Sequence, residues 1–228
     1  MAALLLENYR SQSAAEWPQA GRHIMAQWDD RSIVVYQAYR ESIGRFAATN
    51  GFFGGDYSFR RMSWIKPNFL WMMYRSGWGT KRDQEVTLAI SLRREYFDEL
   101  LLNAVASSFG ASGFATEAEW KKEVARSEVR LQWDPDHSPT GQRVARRAIQ
   151  LGLRGETQRR LGKGGDAILR IEDISDFVAT QRTRLNTAPQ DLQTPRERAY
   201  PVSEAIASRI GLNAAYAPAG APEQKRHR

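Results

Sequence analysis

Runs of β-branched and aromatic residues, and runs in which apolar and polar residues alternate, predict five strands. These segments are residues 32–39, 86–92, 129–133, 147–153 and 166–172. Apolar residues at helical spacing predict intervening helices at residues 40–51, 96–109 and 115–127. Strands and helices mixed in this irregular order favour an α+β fold, a single mixed domain with a largely antiparallel sheet and inserted helices.

The most concentrated apolar stretch lies in a tryptophan-rich block at residues 59–85. Every side chain from Phe69 to Tyr74 is large and apolar or aromatic. Pro67 suits the first helical position, where its missing N–H needs no partner, and Gly77 suits the position just after a helix end. The block therefore predicts a mostly buried helix between Pro67 and Gly77.

The two ends of the chain are less regularly patterned than its middle. We expect residues 1–20 to form an N-terminal extension, residues 21–178 the folded α+β domain, and residues 179–228 a basic, proline-containing tail. Within the tail one short helix is predicted, with Ser203 as its N-cap and Gly211 after its last turn.

The composition and the absence of known motifs exclude several kinds of functional site. The 228 residues carry a formal charge of +7, three His and no Cys, so thiolate chemistry is excluded and no structural metal is expected. No apolar stretch approaches the ~20 residues that span a bilayer. The first residues do not resemble a signal peptide, so we expect a cytoplasmic protein with no membrane partner. Motifs of P-loop proteins, kinases, α/β-hydrolases and zinc proteases are absent.

Cations and aromatic rings are interleaved in the tryptophan-rich block. We take the following as candidate cofactor-binding residues: Arg61, Lys66, Trp71, Tyr74, Arg75 and Trp78, with Lys81 as a candidate phosphate-binding residue. Flat rings beside fixed cations suit a nucleotide, because bases stack on rings and phosphates pair with cations. The structural alternative is that the cations cap helix carbonyls and cover the rings with their aliphatic stems.

A second polar patch is predicted on two of the later strands. Arg130 and Gln132 alternate with apolar residues and therefore share one face of their strand. Together with Arg147 they are candidates for binding nucleic acid or phosphate. The structural alternative is an ordinary amphipathic strand with its polar side in water.

Six stretches carry a resemblance to a family known as domain of unknown function 4291. They are VYQAY (35–39), RMSWIKPNFLWMMYRSGWG (61–79), KRDQE (81–85), VRLQWDPDHS (129–138), RAIQLGLRG (147–155) and IEDIS (171–175). They cover most of the predicted folded domain, and the long tryptophan-rich stretch is the most specific of them. The resemblance implies membership of that family but no particular activity.

The run VVYQAYRESIGRFAATNGFF also resembles, more distantly, the opening unit of ADP-ribosyltransferase domains. In those domains a strand ending in Tyr-His-Gly-Thr holds the nicotinamide and ribose of NAD, and a helix and Gly-Phe follow. Tyr36 matches the Tyr, Gln37 stands in place of the His, and Ala38 and Tyr39 replace Gly-Thr. The resemblance implies that Tyr36, Tyr39 and the adjacent Arg40 bind the cofactor NAD.

The same enzymes use a Glu at the start of a later strand. That Glu orients a ribose hydroxyl and stabilises the positive charge that develops as nicotinamide leaves. Glu85 directly precedes the predicted strand at 86–92 and is similar to that element, so the resemblance implies that Glu85 and Gln37 are catalytic. The alternative for Glu85 is a surface ion pair with Lys81 or Arg82.

Three functions remain open. The first is an NAD-dependent, ADP-ribosyltransferase-like enzyme that acts on nucleic acid or protein, and the second is a non-catalytic nucleotide- or nucleic-acid-binding module with an Arg/Trp cleft. The third is a structural or protein-interaction domain. Convergence of Gln37, Arg75 and Glu85 on one cleft would favour the enzyme, because one bound nucleotide must reach all three.

Overall fold

A computed structural model describes residues 4–212 of the chain, and strands and helices alternate throughout this part. Its strands are β1 (Leu6–Asn8), β2 (Gly21–Arg22), β3 (Met25–Ala26), β4 (Ser32–Tyr39), β5 (Ser63–Ile65), β6 (Val86–Arg93), β7 (Ala104–Ala106), β8 (Val129–His137), β9 (Arg143–Leu153), β10 (Ile168–Asp173), β11 (Gln193–Pro195) and β12 (Arg198–Ala199). Its α-helices are α1 (Tyr9–Ala15), α2 (Glu41–Asn50), α3 (Phe69–Ser76), α4 (Arg94–Leu102), α5 (Glu117–Arg126), α6 (Gly155–Arg159), α7 (Ser175–Thr187) and α8 (Glu204–Ile210).

Two sheets form the centre of the fold. One has the strand order β10-β6-β4, and the other has the order β2-β9-β8-β7, with β5 also paired to β9. Within these two sheets the β2–β9 and β7–β8 pairs are parallel and the rest are antiparallel. Backbone hydrogen bonds of 2.7 and 3.2 Å between Tyr36 and Lys66 connect β4 to the residue after β5. The predicted α+β fold with largely antiparallel sheets is confirmed.

Strand β4 is buried on both faces, which explains its continuous apolar sequence. Ile33 and Val35 belong to a core cluster built from both sheets together with α4 and α8, whereas Val34 and Tyr36 belong to a second cluster with α3 and α7. Successive side chains of a strand point to opposite faces, so the strand separates the two clusters. The predicted strand at 32–39 is confirmed with the same bounds.

Helix α3 is the predicted helix of the tryptophan-rich block, although it begins two residues later than Pro67. Asn68 is its N-cap, because the Asn68 side chain accepts the Trp71 N–H at 2.7 Å. Gly77 ends the helix in the left-handed conformation (φ 58°), as predicted. The helix is therefore fixed at both ends by local interactions.

Two predicted boundaries are wrong because tertiary pairing overrides local pattern. The helix predicted for 96–109 stops at Leu102, and Ala104–Ala106 pair in parallel with the start of β8. The strand predicted for 129–133 continues to His137 as β8, which pairs with β9 as far as Arg143.

The predicted breaks at 20/21 and 178/179 do not interrupt the packing of the described residues. Helix α7 runs across the second break, and β11 pairs with β1, so the predicted extension contacts residues 193–195 of the predicted tail. Tyr200, in the predicted tail, is completely buried. The predicted tail helix is confirmed as α8, with Ser203 as N-cap and Gly211 in the left-handed conformation. Residues 213–228 of the predicted tail lie outside the described residues.

None of the helices described for residues 4–212 is both long enough and apolar enough to cross a membrane.

Candidate functional site

A cavity of about 430 Å³ opens beside the end of β4, between the loop that precedes β5 and the loop that joins α3 to β6. Six of the predicted site residues line it: Gln37, Tyr39, Arg40, Arg61, Lys66 and Arg75. The volume is within the usual range for small-molecule sites in proteins. We refer to it below as the β4 cavity.

Lys66 supplies a buried amine to the β4 cavity. The residue is only 7% exposed, and its Nζ donates a single long hydrogen bond, 3.4 Å, to the Trp64 carbonyl oxygen. Burial, with the nearby Arg75 charge, lowers the pKa of Lys66 to about 8, against a smaller opposite effect of Asp134. Within the described part of the chain no carboxylate forms an ion pair with Lys66, so its charge is uncompensated.

Two arginines add unpaired charge at the mouth of the β4 cavity. Arg61 and Arg75 are both exposed, and neither guanidinium has an ion pair or side-chain hydrogen bond among residues 4–212. Arg40 differs, because it forms an ion pair of 3.1 Å with Asp56 on the opposite rim. The lining thus offers three cations, Arg61, Lys66 and Arg75, to an anionic ligand.

A hydrogen-bonded group of polar side chains forms one wall. The Gln37 amide nitrogen donates to Ser63 Oγ at 2.7 Å and to the Trp64 carbonyl oxygen at 3.1 Å, and the Tyr39 hydroxyl lies 2.8 Å from Ser63 Oγ. The Gln37 amide oxygen is buried and has no hydrogen-bond partner in the structure. A buried acceptor without a donor is costly, so it is available to a ligand donor.

The tyrosine hydroxyls in this wall stay protonated at neutral pH. Burial and the neighbouring Tyr57 raise the pKa of Tyr39 well above its ordinary value, and burial also raises the pKa of Tyr57. Gln158 donates to the Tyr57 hydroxyl at 2.9 Å, which helps to hold the Tyr57 ring in position. Both hydroxyls can therefore act as neutral donors toward a ligand.

The loop from α3 to β6 forms another side of the β4 cavity and has unusual backbone conformations. Trp78 (φ 56°) and Asp83 (φ 63°) occupy the left-handed region, which is strained for a bulky residue such as Trp. The Trp78 conformation is held by its indole N–H, which donates to the Pro139 carbonyl oxygen, and by Arg182, which donates to the Trp78 carbonyl oxygen. Asp83 and Gln84 line the cavity.

Glu85 stands next to the β4 cavity without lining it. Its carboxylate accepts the Asp83 N–H at 2.9 Å, and the following residue, Val86, pairs with Tyr39 at the end of β4. The structure therefore brings Gln37 and Arg75 into one cavity and places Glu85 one residue beyond the lining residue Gln84. The ion pair with Lys81 or Arg82 is not formed among the described residues.

Four aromatic residues predicted to bind the cofactor lie away from the β4 cavity. Tyr36 is fully buried in the second core cluster against Phe69. Trp71 and Tyr74 stack with His137, and the Tyr74 and His137 ring centroids are 3.6 Å apart. Trp78 packs edge-on against Phe69. These rings contribute to packing, and none of them faces the cavity cations.

Four predicted phosphate-binding residues are also outside it. Lys81 donates from Nζ to the Arg75 carbonyl oxygen at 2.6 Å and so caps α3. Arg130 donates to the carbonyl oxygens of Val124 and Ser127, near the end of α5. Gln132 donates to Asp134 at 2.8 Å. Arg147 is exposed on β9, in the other sheet. Lys81 thus has the helix-capping role that was the alternative interpretation, whereas Arg130 is buried and Arg130 and Gln132 are held by hydrogen bonds within the fold rather than by water.

Sequence reasoning missed Ser63, Tyr57 and Met72, which line the β4 cavity. Ser63 connects Gln37 to Tyr39 although it is 26 residues from Gln37 in the chain. No local pattern marks such a contact, because it depends on the pairing of β4 with the end of β5. For Met72 the signal was present, since Met72 and Arg75 are three residues apart and share a face of α3.

The described residues contain no group of three or more His, Cys, Asp or Glu side chains that could hold a metal ion. The polar side chains that line the β4 cavity belong to Arg, Lys, Gln, Ser, Tyr and Asp residues.

Comparison with known proteins identifies the family. A family model described as Domain of unknown function (DUF4291) matches residues 23–200, which include all residues that line the β4 cavity. A search of curated proteins finds no match. The family description names no activity, so it lends no support to the distant resemblance to ADP-ribosyltransferases. Because the match covers most of the chain, the protein belongs to this family of unknown function.

Proposed function

We propose that the β4 cavity binds a nucleotide through its phosphate groups. The observation that carries this proposal is the convergence of three cations without carboxylate partners, with Lys66 buried at the wall and Arg61 and Arg75 at the mouth. A buried, unpaired ammonium is costly to the fold, and an anionic ligand would remove that cost. Guanidinium groups bind phosphate oxygens through paired hydrogen bonds.

The remainder of the lining suits the sugar and base of a nucleotide. The Gln37 amide oxygen and the Tyr39 hydroxyl supply an acceptor and a neutral donor within hydrogen-bonding reach of Ser63. Met72 and Trp64 add apolar surface to the same cavity. Polar groups at fixed positions beside apolar surface are typical of small-ligand sites.

Calorimetric titration with AMP, ADP-ribose, adenosine and inorganic phosphate tests the proposal. We expect AMP and ADP-ribose to bind, and adenosine to bind at least about tenfold more weakly because it lacks the charge-assisted hydrogen bonds. Lys66→Met should reduce the difference between AMP and adenosine, since only Arg61 and Arg75 then remain, whereas Arg147→Gln, an exposed cation of the other sheet, should leave it unchanged. Equal binding of AMP and adenosine would show that the cations do not recognise phosphate.

ADP-ribosyl transfer is the second candidate function. It is supported by one arrangement, in which Gln37, Tyr39 and Arg40 line the β4 cavity and Glu85 precedes the strand residue paired with Tyr39. In that reaction the bond between ribose C1′ and the nicotinamide nitrogen breaks, and nicotinamide leaves with the electron pair. An acceptor oxygen or nitrogen on nucleic acid or protein forms the new bond to C1′ and loses a proton. The Glu85 carboxylate would stabilise the positive charge at C1′.

This candidate is tested by incubating the protein with NAD and with RNA, DNA or protein acceptors, and by measuring free nicotinamide. We expect Glu85→Gln to abolish nicotinamide release while leaving ADP-ribose affinity within about twofold, since the carboxylate would act on charge that develops only as nicotinamide leaves. If the unchanged protein binds ADP-ribose but releases no nicotinamide, the protein binds the nucleotide without transferring ADP-ribose.

A further inference from the structure

A second opening, of about 670 Å³, lies on the opposite side of the segment that borders the β4 cavity. Residues 53–59 separate the two, since Tyr57 lines the β4 cavity and Phe53 and Phe59 line the second opening. The rings of this segment are in contact, with centroids of Tyr57 and Phe59 4.8 Å apart. We refer to the second opening as the phenylalanine groove.

The phenylalanine groove is lined by glycines and by four phenylalanine rings, of which Phe53 is fully buried and the other three are partly buried. Phe46 and Phe52 meet edge to face at 5.9 Å, and Gly54 and Gly162 lie beside the rings. A Cβ on Gly54 would stand 2.8 Å from the Phe46 ring, and a Cβ on Gly162 would stand 2.8 Å from the Phe59 ring. Glycine at these two positions therefore lets the rings occupy the walls of the groove.

The charge at the groove is positive. Lys163 and Arg159 are exposed on its lining, and no Asp or Glu side chain of the described residues lines it. Arg159 has an exposed partner, Glu156, at 3.2 Å, whereas Lys163 has no ion pair within the described part of the chain. On the other side of segment 53–59 lies the mouth of the β4 cavity, with its unpaired arginines.

We propose that the phenylalanine groove binds a base of a single-stranded nucleic acid, whose neighbouring nucleotide occupies the β4 cavity. Aromatic rings that stack bases, beside cations that follow the phosphate backbone, are the general means by which proteins bind single strands. The proposal rests on the proposed function, which places the neighbouring nucleotide in the β4 cavity. It adds that the ligand is a single-stranded nucleic acid. Segment 53–59 lies between the two nucleotides.

The test compares two fluorescently labelled oligonucleotides of about ten nucleotides by anisotropy. One carries ordinary bases and the other carries abasic sugars, so the phosphate charge is equal and only the bases differ. We expect the oligonucleotide with bases to bind at least about fivefold more tightly, the value of one stacked base. Phe52→Ala should reduce the difference by about fivefold, because only the base in the groove loses its stacking partner, and the control Phe109→Ala, a ring that is 37% exposed at another site, should keep it.

A second variant keeps the test informative if Phe52→Ala fails to fold. Lys163 is exposed, so Lys163→Gln should leave the fold intact while reducing the slope of log affinity against log salt concentration by about one. A slope equal to that of the unchanged protein, or equal binding of the two oligonucleotides, overturns the proposal.

The remaining outcomes separate this proposal from the proposed function. If AMP does not bind but base-dependent oligonucleotide binding is reduced in Phe52→Ala, the groove is supported and the β4 cavity function fails. If AMP binds and the oligonucleotide with bases gains nothing over the abasic one, the groove assignment fails alone. An acidic aromatic peptide that binds as tightly as the oligonucleotide, and loses affinity in Phe52→Ala, would identify a protein ligand and overturn the assignment.

Discussion

Two buried cations, Arg146 and Lys66, are held in opposite ways. Arg146 is 5% exposed, and its guanidinium pairs with Asp136 at 2.6 Å, donates to the Pro18 carbonyl oxygen at 2.7 Å and lies over the Trp17 ring. Lys66 is 7% exposed and has only the 3.4 Å hydrogen bond to the Trp64 carbonyl oxygen. The first cation is satisfied by the fold, whereas the second lines a cavity.

The difference indicates which of the two serves the fold and which serves a ligand. A buried charge without a counter-ion reduces stability, so it persists where function requires it. A fully paired cation already has its counter-ion and hydrogen-bond acceptors within the protein, so it does not need a ligand to compensate its charge. We therefore attribute a structural role to Arg146 and a ligand-binding role to Lys66, and mutations of the two should have opposite effects on stability.

The largest expected effect comes from the paired cation. Arg146→Met should lower the free energy of unfolding by about 3–5 kcal/mol, because it leaves the buried Asp136 carboxylate unpaired. Urea unfolding measures the change. The double variant Arg146→Met with Asp136→Leu should recover most of the loss, since no buried charge then remains. A loss below about 1 kcal/mol in the single variant would contradict the structural role.

The unpaired cation should respond in the other direction. Lys66→Met should raise the free energy of unfolding at pH 7 by up to about 3 kcal/mol, because the pKa in the folded protein is about 8 and the ordinary value is 10.5. The unfolded chain holds more protons than the folded one between these values. The gain is therefore full below pH 8 and disappears as the pH rises toward 10.5.

The same Lys66→Met protein should show a smaller difference between AMP and adenosine in calorimetric titration, because Arg61 and Arg75 remain. Urea unfolding at pH 7 and at pH 10 measures the stability effect separately from binding. A loss of stability comparable to that of Arg146→Met would mean that Lys66 is a structural cation after all.

The exposed arginines should affect binding alone. Arg75→Gln and Arg61→Gln should each weaken AMP binding by about tenfold, the value of one charge-assisted hydrogen bond, and change stability by no more than about 0.5 kcal/mol. Arg147→Gln is the matched exposed control, and its AMP affinity should equal that of the unchanged protein. An equal decrease in all three variants would indicate non-specific attraction to a basic surface.

The sequence predicts the parts of the fold in which local pattern and tertiary environment agree. β4 has the predicted bounds because it is apolar on both faces, and α8 is marked by Ser203 and Gly211. Strand β7 was missed because Ala104–Ala106 continue a helical pattern, and only pairing with β8 makes them a strand. The pairing of β1 with β11 cannot be predicted from local pattern either, because the two strands are far apart in the sequence.

The candidate site follows the same rule. The sequence places cations and rings near α3 but does not determine which face of the helix each residue occupies. In the structure Met72 and Arg75 face the β4 cavity, whereas Trp71 and Tyr74 face His137. Met72 and Arg75 are three residues apart, as are Trp71 and Tyr74, and the second pair is offset from the first by one residue. The two pairs therefore lie on different faces of α3, and what each face packs against determines the role of its residues.

The direct test of the central claim is the pKa of Lys66 itself, measured by NMR of labelled lysine side chains as pH is raised, with and without ADP-ribose. We expect a pKa of about 8 in the free protein and a clear rise on ligand binding, because the phosphates stabilise the ammonium form. Binding should then take up protons near pH 8. A pKa near 10.5 in the free protein, or one that ADP-ribose leaves unchanged, would contradict the claim that Lys66 is unpaired in the free protein and binds the phosphate of a ligand.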